Sequence, residues 1–231
     1  MRMAREEVHV WRIELDRSPD EVAALKQSLN AAEVDRAHRF HFEKDRSDFL
    51  VARGSLRAVL ARYLDQAAKT LEFKYGAQGK PHLEREGFSF NLSHSGRLAL
   101  IAVSGGDAVG VDLEFIKEQT SGLDVARHFF SPDERQVLMS RPPAEQQQLF
   151  FTCWTRKESF IKAAGGGLSM PLAQFDVLWP GLQGCGLRQR GTPVPGNWSI
   201  NDLHLPDQGY AAALTVDLCS PVIRCWNWNE Q

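Results

Sequence analysis

The chain has 231 residues, of which 43% are hydrophobic and 24% are charged, and its formal net charge is -2. This composition is typical of a globular protein and excludes a disordered or fibrous one. The charge is nearly balanced and no basic run is present, so a nucleic-acid-binding role is not indicated. The N-terminus lacks an apolar signal core, and no apolar run has the length of a membrane span. We therefore expect a cytoplasmic protein without a membrane segment.

The first part of the chain carries three basic residues of interest. Residues 9–15 alternate as a strand does, and residues 45–64 have the apolar spacing of a long helix. Arg46 and Arg53 fall on the apolar stripe of this helix, where an arginine usually has an anionic partner. Pairing with an acid of the same fold is favoured by the helix alone, and a phosphate ligand is the alternative. Lys80 follows in a glycine-punctuated loop, which taken alone is a turn.

A predicted hairpin follows, with polar chemistry at its tip. Residues 88–92 alternate as a strand, residues 93–96 form the expected turn, and residues 98–103 are almost wholly apolar, as in a strand buried on both faces. Ser93 and His94 are adjacent, so their side chains point in different directions, and the chain has no nucleophile-elbow motif of the hydrolases. Contact with a phosphate is the better functional interpretation of this pair, and simple turn formation is the alternative.

Three carboxylates stand where apolar side chains are expected. Residues 109–115 alternate, so Asp112 and Glu114 lie on the same face of a strand. Glu158 falls inside the apolar stripe of a long helix predicted over about 144–164. Acids held together away from solvent repel each other unless a cation joins them, and an all-oxygen ligand set indicates Mg²⁺ or Mn²⁺. Ordinary salt bridges at the end of a surface strand are the alternative.

The rest of the chain carries no recognisable chemistry. Three glycines at 165–167 stop the long helix and allow another part of the backbone to come close. Residues 175–229 alternate in short stretches among glycines and prolines, which predicts the strands of a second sheet.

Four blocks of the sequence resemble, in order, those of the 4'-phosphopantetheinyl transferases, and within that family the larger surfactin-synthetase-type enzymes. The blocks are GKP at 79–81, FNLSHSG at 90–96, GVDLE at 110–114, and WTRKESFIK at 154–162 followed by GGGL at 165–168. Each block alone occurs by chance in unrelated proteins, whereas all four in the family's order form a specific signal.

The resemblance implies an activity. The 4'-phosphopantetheine arm of coenzyme A moves to a serine of an apo acyl or peptidyl carrier protein, and adenosine 3',5'-bisphosphate is released. Asp112, Glu114 and Glu158 would hold Mg²⁺ against the pyrophosphate, and Lys162, one helical turn beyond Glu158, would reach the same phosphates. By the family's usual mechanism Glu158 would also be the base for the serine, directly or through water.

The resemblance also assigns the binding of coenzyme A. Lys80, Ser93 and His94 would contact its phosphates, with His94 near the 3'-phosphate. Arg46 and Arg53 are further candidates for this anionic end, and Lys157 is a candidate beside Lys162, although it is rotated away on the helix.

The fold implied by the resemblance is α+β, with two pseudo-symmetric halves that each pack a long helix on a small, mostly antiparallel sheet. We expect an N-terminal half at 1–106 with phosphate-binding elements, a C-terminal half at 107–231 with the acids and the catalytic helix, and the active site in the cleft between them. Two halves in one chain make a monomer the simplest state. For carrier docking the candidates for exposed apolar contacts are Phe129, Phe130 and Met170, although burial of both phenylalanines in the core is the favoured interpretation.

Two other functions are compatible with the same residues. A metal-dependent pyrophosphate or phosphodiester hydrolase would use the three acids with water as its nucleophile and would act on a nucleotide such as coenzyme A. A non-catalytic nucleotide-binding regulator would keep the basic residues but would not need Glu158.

Overall fold

The computed structural model describes residues 1–117, 122–167, 170–178 and 186–228, so Leu168 of the fourth block lies outside the described residues. The helices are α1 (Pro19–Lys26), α2 (Ala31–His38), α3 (Glu43–Leu64), α4 (Leu123–Phe129), α5 (Pro132–Met139) and α6 (Pro143–Ala164). The strands are β1 (Glu7–Glu14), β2 (Lys74–Tyr75), β3 (Pro81–His82), β4 (Ser89–Ser95), β5 (Leu98–Ser104), β6 (Val109–Phe115), β7 (Phe175–Asp176), β8 (Arg188–Gln189), β9 (Ser199–Asp202), β10 (Tyr210–Val216) and β11 (Val222–Asn227).

The α+β prediction is confirmed, because each of the two main sheets is packed by one 22-residue helix. The first sheet has the strand order β11-β1-β5-β4 and packs against α3, with Trp11, Ile101 and Leu56 fully buried in the core between them. The second sheet has the order β6-β10-β9 and packs against α6, with Phe160 and Ala211 in the core on that side. The two long helices therefore cover the outer faces of the two sheets.

A third core lies between the two sheets. Alternate residues of β1 and β5, such as Val10 and Leu100, meet Val111 of β6 and Leu214 of β10 there, and all four are buried. All seven residues of β5 are buried, which confirms the prediction from its apolar run. Because the side chains of a strand alternate between its two faces, the residues of β6 that do not enter this core point toward α6.

Glycine allows the helix α6 to lie directly on β6. A Cβ atom at Gly110 would lie 2.2 Å from the carbonyl oxygen of Ser159 and 2.4 Å from the backbone nitrogen of Ala163. Any side chain at Gly110 would therefore push the helix away from the strand. The close approach brings the last turns of α6 over the two acids of β6.

The hairpin differs from its prediction at the tip. Strand β4 continues through Ser95, and the turn begins only at Gly96, which has a φ of 61°. Ser93 and His94 therefore belong to a strand rather than to a turn. The reason is that polar side chains of β4 have hydrogen-bond partners on β6, as the Asn91 Oδ1 accepts from the Val111 N–H at 2.8 Å. Because these hydrogen bonds satisfy polar groups at the edge of the sheet, the strand can remain extended.

The sequence predicts that the strands within residues 175–229 belong to a second sheet. For the last strand, β11, this prediction is wrong. Strand β11 instead runs parallel to β1 at the edge of the first sheet. The Trp226 ring stacks on the Trp11 ring, with 5.2 Å between their centroids, and the Arg224 Nε donates to the Glu7 Oε1 at 2.5 Å. Residues 222–227 therefore contribute a strand to the first sheet, whose other three strands lie within residues 7–104.

None of the helices within the described ranges combines the length and the apolar character that are needed to cross a membrane.

Candidate active site

Strand β6 holds two of the three predicted acids on the face toward α6. Asp112 is 3% exposed, and its Oδ1 accepts from the Ser93 hydroxyl at 3.0 Å. Glu114 is half-buried, and its Oε2 accepts from the Ser95 hydroxyl at 3.2 Å. The serines of β4 thus orient the carboxylates of β6 across the join between the two sheets.

Helix α6 supplies the third acid and a lysine. The Lys162 Nζ donates to the Asp112 Oδ1 at 2.6 Å and to the Ser93 Oγ at 3.0 Å. Glu158 lies one turn earlier on the same face of the helix and interacts electrostatically with both Asp112 and Glu114. Asp112, Glu114, Glu158, Lys162 and Ser93 form one cluster, which we call the acid cluster.

The acid cluster has more negative charge than its lysine balances. Burial raises the pKa of Glu114, and repulsion from Asp112 raises it further against an opposing hydrogen bond from the Ser95 hydroxyl. Burial also raises the pKa of Glu158, with Asp112 the next cause and Glu114 a smaller one, while Lys162 acts in the opposite direction. Raised carboxyl pKa values of this origin mark a site whose charged form needs a further cation.

The donor atoms fit a hard divalent cation. The Asp112 Oδ2 is buried and has no hydrogen-bond partner within the described part of the chain, which normally costs stability unless a ligand satisfies it. Across residues 1–117, 122–167, 170–178 and 186–228, no group of three or more His, Cys, Asp or Glu side chains is arranged to hold a metal ion. Asp112, Glu114 and Glu158 therefore affect one another's charge without forming a ready-made ligand set in this structure.

A pocket of about 400 Å³ with both polar and apolar walls begins at His94, next to Ser93 of the acid cluster. Its polar walls include His94 from β4, Arg53 from α3 and Arg36 from α2, with Tyr75 from β2 and Gly79 from the loop that precedes Lys80. Burial by the surrounding protein lowers the pKa of His94, while Asp48 and Asp45 oppose this and Lys162 adds to it. The side chains of these adjacent residues of β4 point to opposite sides, so Ser93 contacts Asp112 and His94 lines this pocket.

Arg53 is held in place by an acid of its own half. Its Nε donates to the Glu33 Oε1 at 2.5 Å, and its terminal nitrogen donates to the Tyr75 hydroxyl at 2.7 Å. The Arg57 Nε donates to the other Glu33 oxygen at 2.7 Å. The ordinary ion pair favoured for the inward arginine is present, and the pair also places the Arg53 guanidinium at the wall of the pocket.

Two of the predicted basic residues lie elsewhere. Lys157 is fully buried in the C-terminal half, where its Nζ lies 2.8 Å from the Glu134 Oε2 and donates to the carbonyls of Leu172 and Phe175 at 2.7 and 2.6 Å. These partners use its three donors, so the structure does not bring it to the acid cluster. Arg46 lies in the exposed first turns of α3 and pairs with Glu43 at 2.5 Å.

Lys80 does lie beside the acid cluster, although its partners are backbone atoms. Its Nζ donates to the Lys162 carbonyl at 2.6 Å and to the Val109 carbonyl at 2.9 Å. Burial, together with the neighbouring Lys162 ammonium, lowers its pKa to about 8.

Two candidates escape the sequence analysis. Ser95 contacts Glu114 and shares the period-two spacing of Ser93, so the alternation of β4 contains a signal for it. Arg36 lies on α2, an eight-residue helix that begins at the Asn30 cap. A helix this short gives a weak periodic signal, which explains why the residue escapes notice.

The surface predicted for carrier docking is divided. Phe130 is 2% exposed and belongs to the core, whereas Phe129 is 48% exposed beside the Trp154 ring. Met170 is partly buried against the same core. Of the three residues, only Phe129 has the exposure that docking requires.

Comparisons with known proteins match nearly the whole chain to one family. Residues 108–215 match the model of the 4'-phosphopantetheinyl transferase superfamily, and residues 15–105 match the model of the N-terminal part of a 4'-phosphopantetheinyl transferase. The 4'-phosphopantetheinyl transferase HetI of a Nostoc species is 36% identical over 215 residues, which cover 91% of this chain and 88% of HetI. The 4'-phosphopantetheinyl transferase Sfp of Bacillus subtilis is 31% identical over 171 residues, which cover 73% of this chain and 75% of Sfp.

Proposed function

Because this chain belongs to the 4'-phosphopantetheinyl transferase superfamily, we propose that its acid cluster transfers the 4'-phosphopantetheine group of coenzyme A to a serine of an apo carrier protein. The observation that carries this proposal is the buried Asp112, with one oxygen held by Lys162 and Ser93 and the other without a hydrogen-bond partner in the described residues. A carboxylate with one oxygen oriented and the other unsatisfied is prepared to take up a cation.

Coenzyme A would lie across the two halves of the chain. Its 3'-phosphorylated nucleotide would occupy the pocket of about 400 Å³, where His94, Arg36 and Arg53 offer positive or hydrogen-bonding groups for an anion. Its pyrophosphate would then reach Lys162 and Ser93 at the acid cluster. The resemblance gives three further candidates for phosphate contact: Lys80, Lys157 and Arg46. They are weaker candidates, because carbonyl or carboxylate oxygens of the protein already accept their hydrogen bonds.

Asp112, Glu114 and Glu158 would hold Mg²⁺, with Mn²⁺ as a substitute. The metal would neutralise charge on the pyrophosphate oxygens and so ease attack at phosphorus. The Ser93 and Ser95 hydroxyls keep two of these carboxylates in fixed directions, which limits the reorganisation that binding requires.

The chain's own residues would perform the proton transfer. The carrier serine attacks the phosphorus that bears the pantetheine arm, and the bond from that phosphorus to the bridging oxygen breaks as adenosine 3',5'-bisphosphate leaves. Glu158 accepts the serine proton, directly or through water, as a general base positioned at the acid cluster. The Lys162 ammonium offsets the negative charge on the phosphates.

The partner is an apo acyl carrier or peptidyl carrier protein, and we propose that the chain acts on it as a monomer in the cytoplasm. Phe129, exposed next to Trp154 on α6, gives the carrier an apolar contact near Glu158. Light scattering of the purified protein during gel filtration tests the monomer, because a dimeric mass contradicts it.

The decisive experiment is intact-mass analysis of several apo carriers incubated with this protein, coenzyme A and Mg²⁺. We expect one carrier to gain a single phosphopantetheine, and we expect Glu158→Ala or removal of the metal to slow this gain by roughly 10²–10⁴-fold. Glu145→Ala is the matched control, because Glu145 is an exposed glutamate in the first turn of the same helix.

The same samples test the other functions. Cleavage of coenzyme A without any gain of mass on a carrier would identify a hydrolase, a function that the relatives do not support. Binding of coenzyme A without turnover, unchanged in Glu158→Ala, would identify a regulator.

A further inference from the structure

The C-terminal end of α6 is held by the other half of the molecule. The helix ends at Ala164, and Gly165 follows in the left-handed conformation with a φ of 71°. The last four carbonyls of a helix have no partners within it and need donors from elsewhere. Lys162 contributes one of these carbonyls, while its side chain faces Asp112 in the acid cluster.

The donor for this carbonyl is Lys80. The Lys80 Nζ lies 2.6 Å from the Lys162 carbonyl oxygen and 2.9 Å from the Val109 carbonyl oxygen at the start of β6. A single ammonium thus joins the end of the helix that carries Glu158 to the beginning of the strand that carries Asp112. A cation at a helix C-terminus is also favoured by the helix dipole.

A second contact supports the same arrangement. A Cβ atom at Gly167 would lie 2.6 Å from the Gln78 Cγ, and Gly167 has a φ of 52°. The loop at 76–80 is therefore packed against the glycine turn after α6 at a point separate from the Lys80 ammonium. The turn approaches this closely only because it lacks side chains.

We propose that Lys80 is a positioning residue that caps α6 from the N-terminal half and keeps the Lys162 and Glu158 side chains aligned with Asp112. This inference rests on the proposed transferase function for its catalytic readout. It differs from a phosphate contact, because two of the three Lys80 donors are used by carbonyls. At pH 7 its ammonium remains mostly charged, since its pKa is lowered only to about 8.

The test is Lys80→Met, compared with Lys80→Arg and with the control Lys74→Met. Lys74 is an exposed lysine on β2, in the same region of the N-terminal half and outside the site. We expect Lys80→Met to lower kcat on the order of 10-fold through misalignment, with the KM for coenzyme A changed by less than about 3-fold. Lys80→Arg keeps the charge and donors, so we expect it to recover most of the lost kcat.

Hydrogen exchange of the substrate-free protein gives a second readout that does not depend on activity. We expect the amides of the last turn of α6 to exchange faster in Lys80→Met than in the unmodified protein or Lys74→Met. If the KM for coenzyme A rises while kcat and the exchange rates are unchanged, Lys80 is a phosphate ligand and the proposal is overturned. Unchanged kinetics and exchange would overturn it as well.

Two outcomes separate this inference from the proposed function. If the unmodified protein modifies no carrier, the transferase proposal fails while the exchange result still decides the capping role. If Lys80→Met does not fold, Lys80→Arg is used alone. Unchanged amide exchange in the last turn of α6 together with an unchanged kcat then supports capping of α6 by residue 80. Faster amide exchange in this turn with an unchanged kcat contradicts the proposal that capping aligns Lys162 and Glu158.

Discussion

Helix α6 carries two lysines, five residues apart, whose surroundings are opposite in character. Lys157 is fully buried with Glu134, and carbonyl oxygens take its other donors. Lys162 is 28% exposed and faces Asp112 with Glu114 and Glu158 close by. Five residues correspond to a rotation of about 140° around the helix, so the two side chains leave it on different faces.

The difference between the two sites lies in charge balance and hydrogen-bond satisfaction. Glu134 also accepts from the backbone N–H groups of Val177 and Ser131, so this acid and Lys157 satisfy each other inside the core. At the acid cluster one ammonium stands against three carboxylates, and the Asp112 Oδ2 has no hydrogen-bond partner in the described residues. Satisfied hydrogen bonds characterise the structural site at Lys157, and a deficit of positive charge characterises the acid cluster.

The largest expected effect is on the structural lysine. Lys157→Met should lower the free energy of unfolding by about 3–5 kcal/mol, because it leaves the Glu134 carboxylate buried without a counter-charge. Urea denaturation followed by far-UV circular dichroism measures this loss. The double variant with Glu134→Gln should be less destabilised than the sum of the two single variants. Additive losses would show that the two groups are not coupled.

The second effect is on the lysine of the acid cluster. Lys162→Met should lower the rate of transfer to a carrier by roughly 10²–10³-fold, because in the proposed mechanism the Lys162 ammonium offsets the charge on the phosphates. Its unfolding free energy should change much less than that of Lys157→Met, since the acids can take up protons when their counter-charge is lost. The rate is measured by intact mass, with the exposed Lys69→Met as the control. Equal losses of stability in the two lysine variants would remove the distinction between the sites.

The smallest effect is a pH dependence of the metal-free protein. The pKa of Glu158 is raised above its ordinary value of 4.5, so the folded state binds its proton more tightly than the unfolded state does. The stability that this group contributes is therefore present below pH 4.5 and falls as the pH rises through the raised pKa. Glu158→Gln removes the repulsion, so at pH 7 without metal its Tm should exceed that of the unmodified protein by about 2–4 °C.

Addition of Mg²⁺ should reverse this order. The unmodified protein should gain more Tm from Mg²⁺ at pH 7 than at pH 5, because its carboxylates must be ionised to bind the metal. The Tm of Glu158→Gln should increase less on addition of Mg²⁺ at either pH. Differential scanning fluorimetry at the two pH values measures both trends, and an equal Mg²⁺ response in the two proteins would exclude Glu158 as a ligand.

Local periodicity accounts for the part of the site that could be predicted. The alternation of β6 places Asp112 beside Glu114 on one face, and the apolar stripe of α6 contains Glu158. These assignments need only the repeat of a strand or a helix, which is set within a few residues.

Partners that are distant in sequence account for what could not be predicted. Lys157 is next to Glu158 in sequence, yet its partner Glu134 comes from another helix. Arg53 forms an ion pair with Glu33, which lies on α2, a helix that the sequence pattern does not predict. The pairing of β11 with β1 joins the two ends of the described chain, and no local pattern encodes such a contact.

The sequence by itself determined the α+β class, the family, and the face on which the three acids lie, because each of these follows from short blocks and local repeats. Only the tertiary structure decided that Lys157 is enclosed in the core with Glu134, that β11 pairs with β1, and that Lys80 meets the end of α6. The physical reason is that burial and charge pairing depend on which elements pack together, and this packing is a property of the whole chain.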